Sequence, residues 1–141
     1  MEKTLLKYLL ILLMLSNYSC NKQEENSSNY QKNVISLNNG NTWKASLETT
    51  YGILIMKKKM ASFNIDSNLN LYSKLVDDLT EEFLVIFEKC TMKGESHKQL
   101  HNYLLPIKLM FKDLLNSNIK KRQKTFHTLS SHLEKYKYFF Y

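Results

Sequence analysis

The chain has 141 residues and a formal net charge of +7, with lysine far ahead of arginine, and its length suits one domain. Three glycines and one proline leave little material for a turn-rich β fold. No internal repeat, Gly-rich phosphate loop or nucleophile elbow is present, which removes the commonest nucleotide-binding and hydrolase signatures.

Residues 1–19 predict a signal peptide. In "MEKTLLKYLLILLMLSNYSC", Lys3 and Lys7 precede an apolar run from Tyr8 to Leu15, followed by small or polar residues up to Cys20. That charged, apolar, polar order belongs to secretion, and the run is short for a bilayer span. A buried N-terminal helix is the competing assignment, and nothing polar recurs at helical spacing to support it. "NYSC" resembles a bacterial lipobox, with Cys20 as the lipidated first mature residue, although Asn17 stands where leucine is usual. "NKQEE", Asn21 to Glu25, looks like the short signal that sends lipoproteins of the Bacteroidota to the cell surface. The resemblance implies a lipid-anchored protein of the outer membrane or cell surface, held to the membrane through Cys20. Residues 20–33 are polar, lack a hydrophobic period and read as a flexible tether.

Export bears on the charge. Without residues 1–19 the chain loses Lys3, Lys7 and Glu2 and keeps +6. In a cytosolic protein that balance raises nucleic acid as a partner. Beside an envelope, an anionic bilayer or acidic glycan is simpler, and the expectation is no nucleic acid. With Cys20 lipidated, Cys90 is the one remaining thiol, so no internal disulfide forms. In an oxidising compartment that thiol should be buried, ligated or paired with another chain.

The folded part should run over residues 34–141. Asn39-Gly40 marks a turn in an extended lead-in. Ile53, Met56, Met60 and Phe63 recur at three and four residues and predict a helix from about Ala45 to Phe63. "NIDSNLN" breaks it, with Asp66 or Ser67 as the next cap. Tyr72, Leu75, Val76, Leu79, Phe83, Ile86, Phe87 and Cys90 form the clearest stripe in the chain, and Gly94 is placed to end that helix in a left-handed cap. Leu100, Leu104, Ile107, Phe111 and Leu114 mark a third helix, which Pro106 should bend or split near Leu104. Ile119, Phe126, Leu129, Leu133, Tyr136 and Phe140 mark a fourth. Four amphipathic helices with short connections predict an all-α fold, an antiparallel up-down four-helix bundle.

"CTMKGESHKQLHNYL", Cys90 to Leu104, carries the chemistry. His97 and His101 are four apart, on one helix face, and continue the apolar stripe through Leu100 and Leu104. Cys90 ends the preceding stripe across the Gly94 turn, with Met92 two residues beyond. Thiolate plus imidazoles suits zinc, while Cys, Met and His together suit Cu(I). In an up-down bundle Trp43 and the tail Tyr136 to Tyr141 lie at this same end and should ring the cluster with aromatics. The plain alternative is packing: Cys90 as a small buried hydrophobe and the histidines satisfying neighbours. His127 and His132 fall on other phases and read as surface or boundary residues. Met56 and Met60 read as core.

"LNNGNTWKA", the Cys90 to Pro106 segment and the closing "LEKYKYFF" resemble a family of small, mostly uncharacterised exported proteins of the Bacteroidota. That family has an Asn-Asn-Gly-x-x-Trp opening and a Cys-Thr-Met-x-Gly-x-x-His-x-x-Leu-His segment. The resemblance covers most of the chain from Leu37 onward and picks out Gly40, Trp43, Cys90, Thr91, Met92, Gly94, His97, Leu100, His101 and Pro106. It implies no activity. Many members carry a further histidine after the leucine beside the proline; here the sequence reads Leu105-Pro106-Ile107, without it.

The expectation is thus a metal-binding envelope protein using Cys90, His97 and His101, with Met92 auxiliary and copper or zinc as cofactor. The alternative is a non-catalytic interaction module contacting another envelope protein, the cluster serving as packing. An enzyme is not expected: no carboxylate pair lines an inward stripe, and no nucleophile has a base at secure spacing.

Overall fold

The computed structural model describes residues 34–141, and these are all-helical, without strands among them. Helix α1 spans Leu47–Ser62, α2 Leu69–Lys89, α3 Gly94–Leu114 and α4 Ile119–Glu134, with a single-turn α5 at Tyr136–Phe139. The expected signal peptide of residues 1–19, lipidation of Cys20 and tether of 20–33 fall outside the described residues. Among the described residues no helix is long and apolar enough to cross a membrane.

Side-chain oxygens hold the starts of three of the four long helices. Ser46 accepts from the Thr49 amide at 3.3 Å, Asn68 from Leu71 at 3.1 Å and Asn118 from Lys121 at 3.2 Å, each satisfying an otherwise orphaned donor. The cap of α2 is therefore Asn68, two residues beyond Asp66; the Asp66 amide is instead taken by Asn64 Oδ1. Helix α3 has no side-chain cap. Gly94 opens this helix at φ 62, so it does not close α2, which stops at an extended Cys90. Glycine adopts that left-handed conformation without steric cost, which lets the chain turn directly from the loop into α3.

Each helix buries one stripe. Ile53, Met56 and Met60 come from α1; Tyr72, Leu75, Val76, Leu79, Phe83 and Ile86 from α2; Leu100, Tyr103, Leu104, Ile107, Met110, Phe111 and Leu114 from α3; and Phe126, Leu129 and Leu133 from α4. Two expected members stand outside: Phe87 and Ile119 are exposed. Neighbours pack as α1 on α2, α2 on α3, α3 on α4 and α4 on α1, with α1–α2 the most extensive seam and α2–α3 the thinnest of the four. The arrangement is a helical bundle with one continuous core.

Pro106 does not split α3. The helix runs unbroken through it, and the proline ring is buried. Proline removes one amide donor and crowds the preceding turn. Three residues upstream, the Tyr103 carbonyl has taken an outside partner, His132 Nε2, at 2.8 Å. Burial of the ring offsets part of the proline's cost within an intact helix.

The lead-in folds back on the bundle. Asn39 (φ 49) and Gly40 (φ 88) form a tight turn closed by bonds of 2.8 and 2.9 Å between Asn38 and Asn41, the primed geometry that Asn-Gly favours. Trp43 donates its indole N–H to the Ser36 carbonyl at 2.6 Å, and the Ser36 amide donates to buried Gln99 at 2.9 Å. The C-terminal residues run beside this segment, Trp43 pairing in parallel with Phe140.

Candidate metal centre

Helix α2 ends at Cys90, residues 90–93 cross in extended form, and α3 carries His97 and His101 in its first two turns. Four-residue spacing on one helix puts the two imidazoles on the same face. Their Nε2 atoms are 2.9 Å apart, with ring centroids at 4.4 Å and planes at 70°. Cys90 Sγ lies 3.6 Å from His97 Nδ1. Phe87 presents an edge contact to His101 at 5.3 Å. Cys90 and Met92 are half-buried and pack against the core, and Cys90 is a free thiol.

The three donors are joined, but in a line. His97 uses Nδ1 toward Cys90 and Nε2 toward His101, so its ring stands between the other two. One ion cannot take both nitrogens of one imidazole, and Sγ does not share a focus with the Nε2 pair. Accordingly, no group of three or more His, Cys, Asp or Glu side chains is arranged to hold a metal among the described residues. The sequence spacing points to three convergent ligands; the geometry joins them as two pairwise contacts. The reason is rotational: Cys90 approaches from the end of α2, on the side of His97 away from His101.

The protonation of this line is constrained. An Nε2···Nε2 hydrogen bond needs one protonated nitrogen and one bare lone pair. The His97 tautomer then sets whether Nδ1 gives or takes the bond at Cys90. Either direction works, but two imidazolium rings do not. His101 is held below the ordinary histidine value, first by the part of its ring that is covered and then by His97, which favours the neutral form that ligates metals.

The aromatic surround is partial. Tyr136 and Phe140 are buried, whereas Tyr138 and Tyr141 are exposed. Tyr136 shares a 3.0 Å hydrogen bond with Thr50. Its phenol is pushed up mainly by burial, with Thr50 opposing and nearby Cys90 adding to the rise.

A second constellation, absent from the sequence expectations, lies between α3 and α4. The fully buried Tyr103 donates its hydroxyl to the carbonyls of His132 at 3.1 Å and Leu133 at 3.4 Å. His132 Nε2 returns a bond to the Tyr103 carbonyl, and the rings stack at 4.6 Å and 25°. Burial holds the Tyr103 phenol well above its ordinary value and lowers His132, so both are neutral and the pair is structural. Arg122 was equally illegible. It is buried, donates to the Asn116 carbonyl at 2.9 Å and covers the Tyr72 ring at 4.6 Å, while its Nε has no partner. Neither the Tyr103–His132 pair nor Arg122 has a signal in the spacing of the sequence.

No protein-family model, no curated protein and no solved structure matches this chain.

Proposed function

We propose that this chain is a lipid-anchored protein of the outer membrane or cell surface that binds a soft transition metal, zinc or copper, for metal handling or sensing. Binding itself is the activity, without catalysis. The observation that carries the reading is the 2.9 Å approach of His97 Nε2 to His101 Nε2. At zinc–nitrogen distances of about 2.0–2.1 Å, two tetrahedral ligands sit roughly 3.3 Å apart. A small opening of the pair thus admits an ion in place of the shared proton.

Cys90 meets the far nitrogen of His97, where it holds the ring and aims Nε2, as outer-sphere partners of metal-bound histidines do. To enter as a ligand, with Met92 as auxiliary, Cys90 needs the His97 ring to turn. The closed ring of helix neighbours and the short connections 63–68, 90–93 and 115–118 support an antiparallel up-down course for the bundle. That course brings the lead-in, the tail and the 90–93 loop to one end.

The test is titration of Zn(II) and Cu(I) into the full chain, purified in detergent, reduced and without a histidine tag. Wild type should bind stoichiometrically against a competing chelator. His101→Ala should lose that binding, and Cys90→Ala should weaken it. Absence of binding by wild type to either metal would sink the reading. The exposed apolar side chains Leu84, Phe87, Leu105 and Leu109 favour the second reading, a non-catalytic interaction module of the envelope. Failure of all metal binding would move attention there.

A further inference from the structure

We infer that the metal is shared between two copies of this chain, each giving His97 and His101 to one ion across a two-fold axis on the α2–α3 face. This rests on the metal-binding reading above and concerns what completes the site.

Two nitrogens converge, whereas a structural zinc takes four ligands. No third His, Cys, Asp or Glu joins the pair among the described residues, and Cys90 stands on the opposite side of the His97 ring. With the His97 ring held between Cys90 and His101, the remaining ligands come from outside the fold. The site is open to such a partner, because His101 is exposed on the outer face of α3.

The surroundings suit a second copy. Leu105 follows His101 by one turn and Leu109 by two, while Phe87, packed edge-on against His101, and Leu84 belong to the adjoining face of α2. These four are between 42% and 54% exposed, large apolar groups grouped around the histidine pair along the thinnest seam of the bundle. In a two-fold interface the same patch meets itself, so apolar surface covers apolar surface while two histidine pairs approach from opposite sides. Four nitrogens then surround one ion.

Charge makes the association conditional. Lys108 and Lys112 share this face of α3 and are exposed. Glu81 and Glu88 are exposed on the α2 side of the same face, so charges of both signs rim a patch of only four half-exposed apolar side chains, and apolar contact alone works against their desolvation when no ion is bound. The ion tips that balance. Metal concentration is thereby converted into a monomer–dimer equilibrium, a readable output for a sensing or handling protein.

Native mass spectrometry of the full chain released from detergent micelles counts chains and ions in one particle. Without metal the expected species is one chain; with Zn(II) it is two chains holding one ion. His101→Ala and His97→Gln should each lose ion and dimer together, with far-UV circular dichroism unchanged. Leu105→Lys combined with Leu109→Lys should abolish the dimer and leave single chains with weakly held zinc. A wild-type particle of one chain and one ion, or of two chains and two ions, overturns the shared site but keeps metal binding. Dimers that form equally without zinc overturn the metal bridge. No ion in any particle overturns this inference and the metal-binding reading together.

Discussion

Tyr103 and His132 exchange hydrogen bonds in both directions, and each covers a polar group that the other needs. The arrangement tolerates a neutral imidazole. Burial holds His132 below its ordinary value, the bond to the Tyr103 carbonyl pulling partly the other way, so the unfolded chain takes up this proton at a higher pH than the folded chain does. The contribution to stability is therefore whole above the ordinary histidine value of about 6.5. It is lost as pH falls from there toward the depressed folded value. His101 shifts in the same direction but is exposed, and its share is smaller. Urea denaturation between pH 7.5 and pH 5 should show wild type losing stability on acidification, and His132→Gln should lose less. An equal slope in the two proteins would mean that the His132 proton is not linked to folding.

At the scale of elements, α1 comes close against α2 at Gly52. Alanine would ordinarily favour a helix by about 1 kcal/mol over glycine. Here a Cβ would meet Ile86 Cγ1 at 2.5 Å and Cδ1 at 2.9 Å, and Ile86 is fully buried with little room to yield. Overpacking of this kind costs about 1–3 kcal/mol, which outweighs the propensity gain. Gly52→Ala should therefore lower the urea midpoint. In Ile86→Ala, which removes the obstructing atoms, the same change should cost less or stabilise, a coupling that a double-mutant cycle reads directly. A Gly52→Ala protein more stable than wild type would show that α1 and α2 can separate freely. The histidine pair occupies the opposite case, next to the thinnest seam, where α2 and α3 leave large apolar side chains on the surface.

Over the whole molecule, the two ends of the described chain hold one another. Trp43 donates its amide to the Phe139 carbonyl at 2.7 Å, Tyr141 donates to the Trp43 carbonyl at 3.0 Å, and Ala45 donates to the Tyr141 carbonyl at 2.9 Å. Tyr136 and Phe140 anchor this clasp in the core. Burying a side chain of that size contributes about 1.5–3 kcal/mol. A chain ending at Lys135 should unfold at lower temperature, and trypsin should cut it faster at the exposed Lys44, which the clasp now holds. Unchanged cleavage at Lys44 would mean that the lead-in is held by Ser36 and Gln99 alone.

The helices and most of their buried faces were legible in the sequence because both are local. A 3.6-residue period acts over a few turns, and it placed Ile53 to Met60, Tyr72 to Ile86 and Leu129 to Leu133 correctly inside. The same period put His97 and His101 on one face, and Asn39-Gly40 announced its own turn. Tertiary structure decided what each face meets. Rotation about the helix axes and the axial offset between neighbours left Phe87 and Ile119 outside and stacked His132 on Tyr103. They also set Cys90 behind His97 rather than beside His101. Those two quantities arise only when helices pack, because spacing along one helix carries no information about where its neighbour begins. A periodicity can therefore supply two ligands of a site, while the third and fourth depend on which surfaces come together.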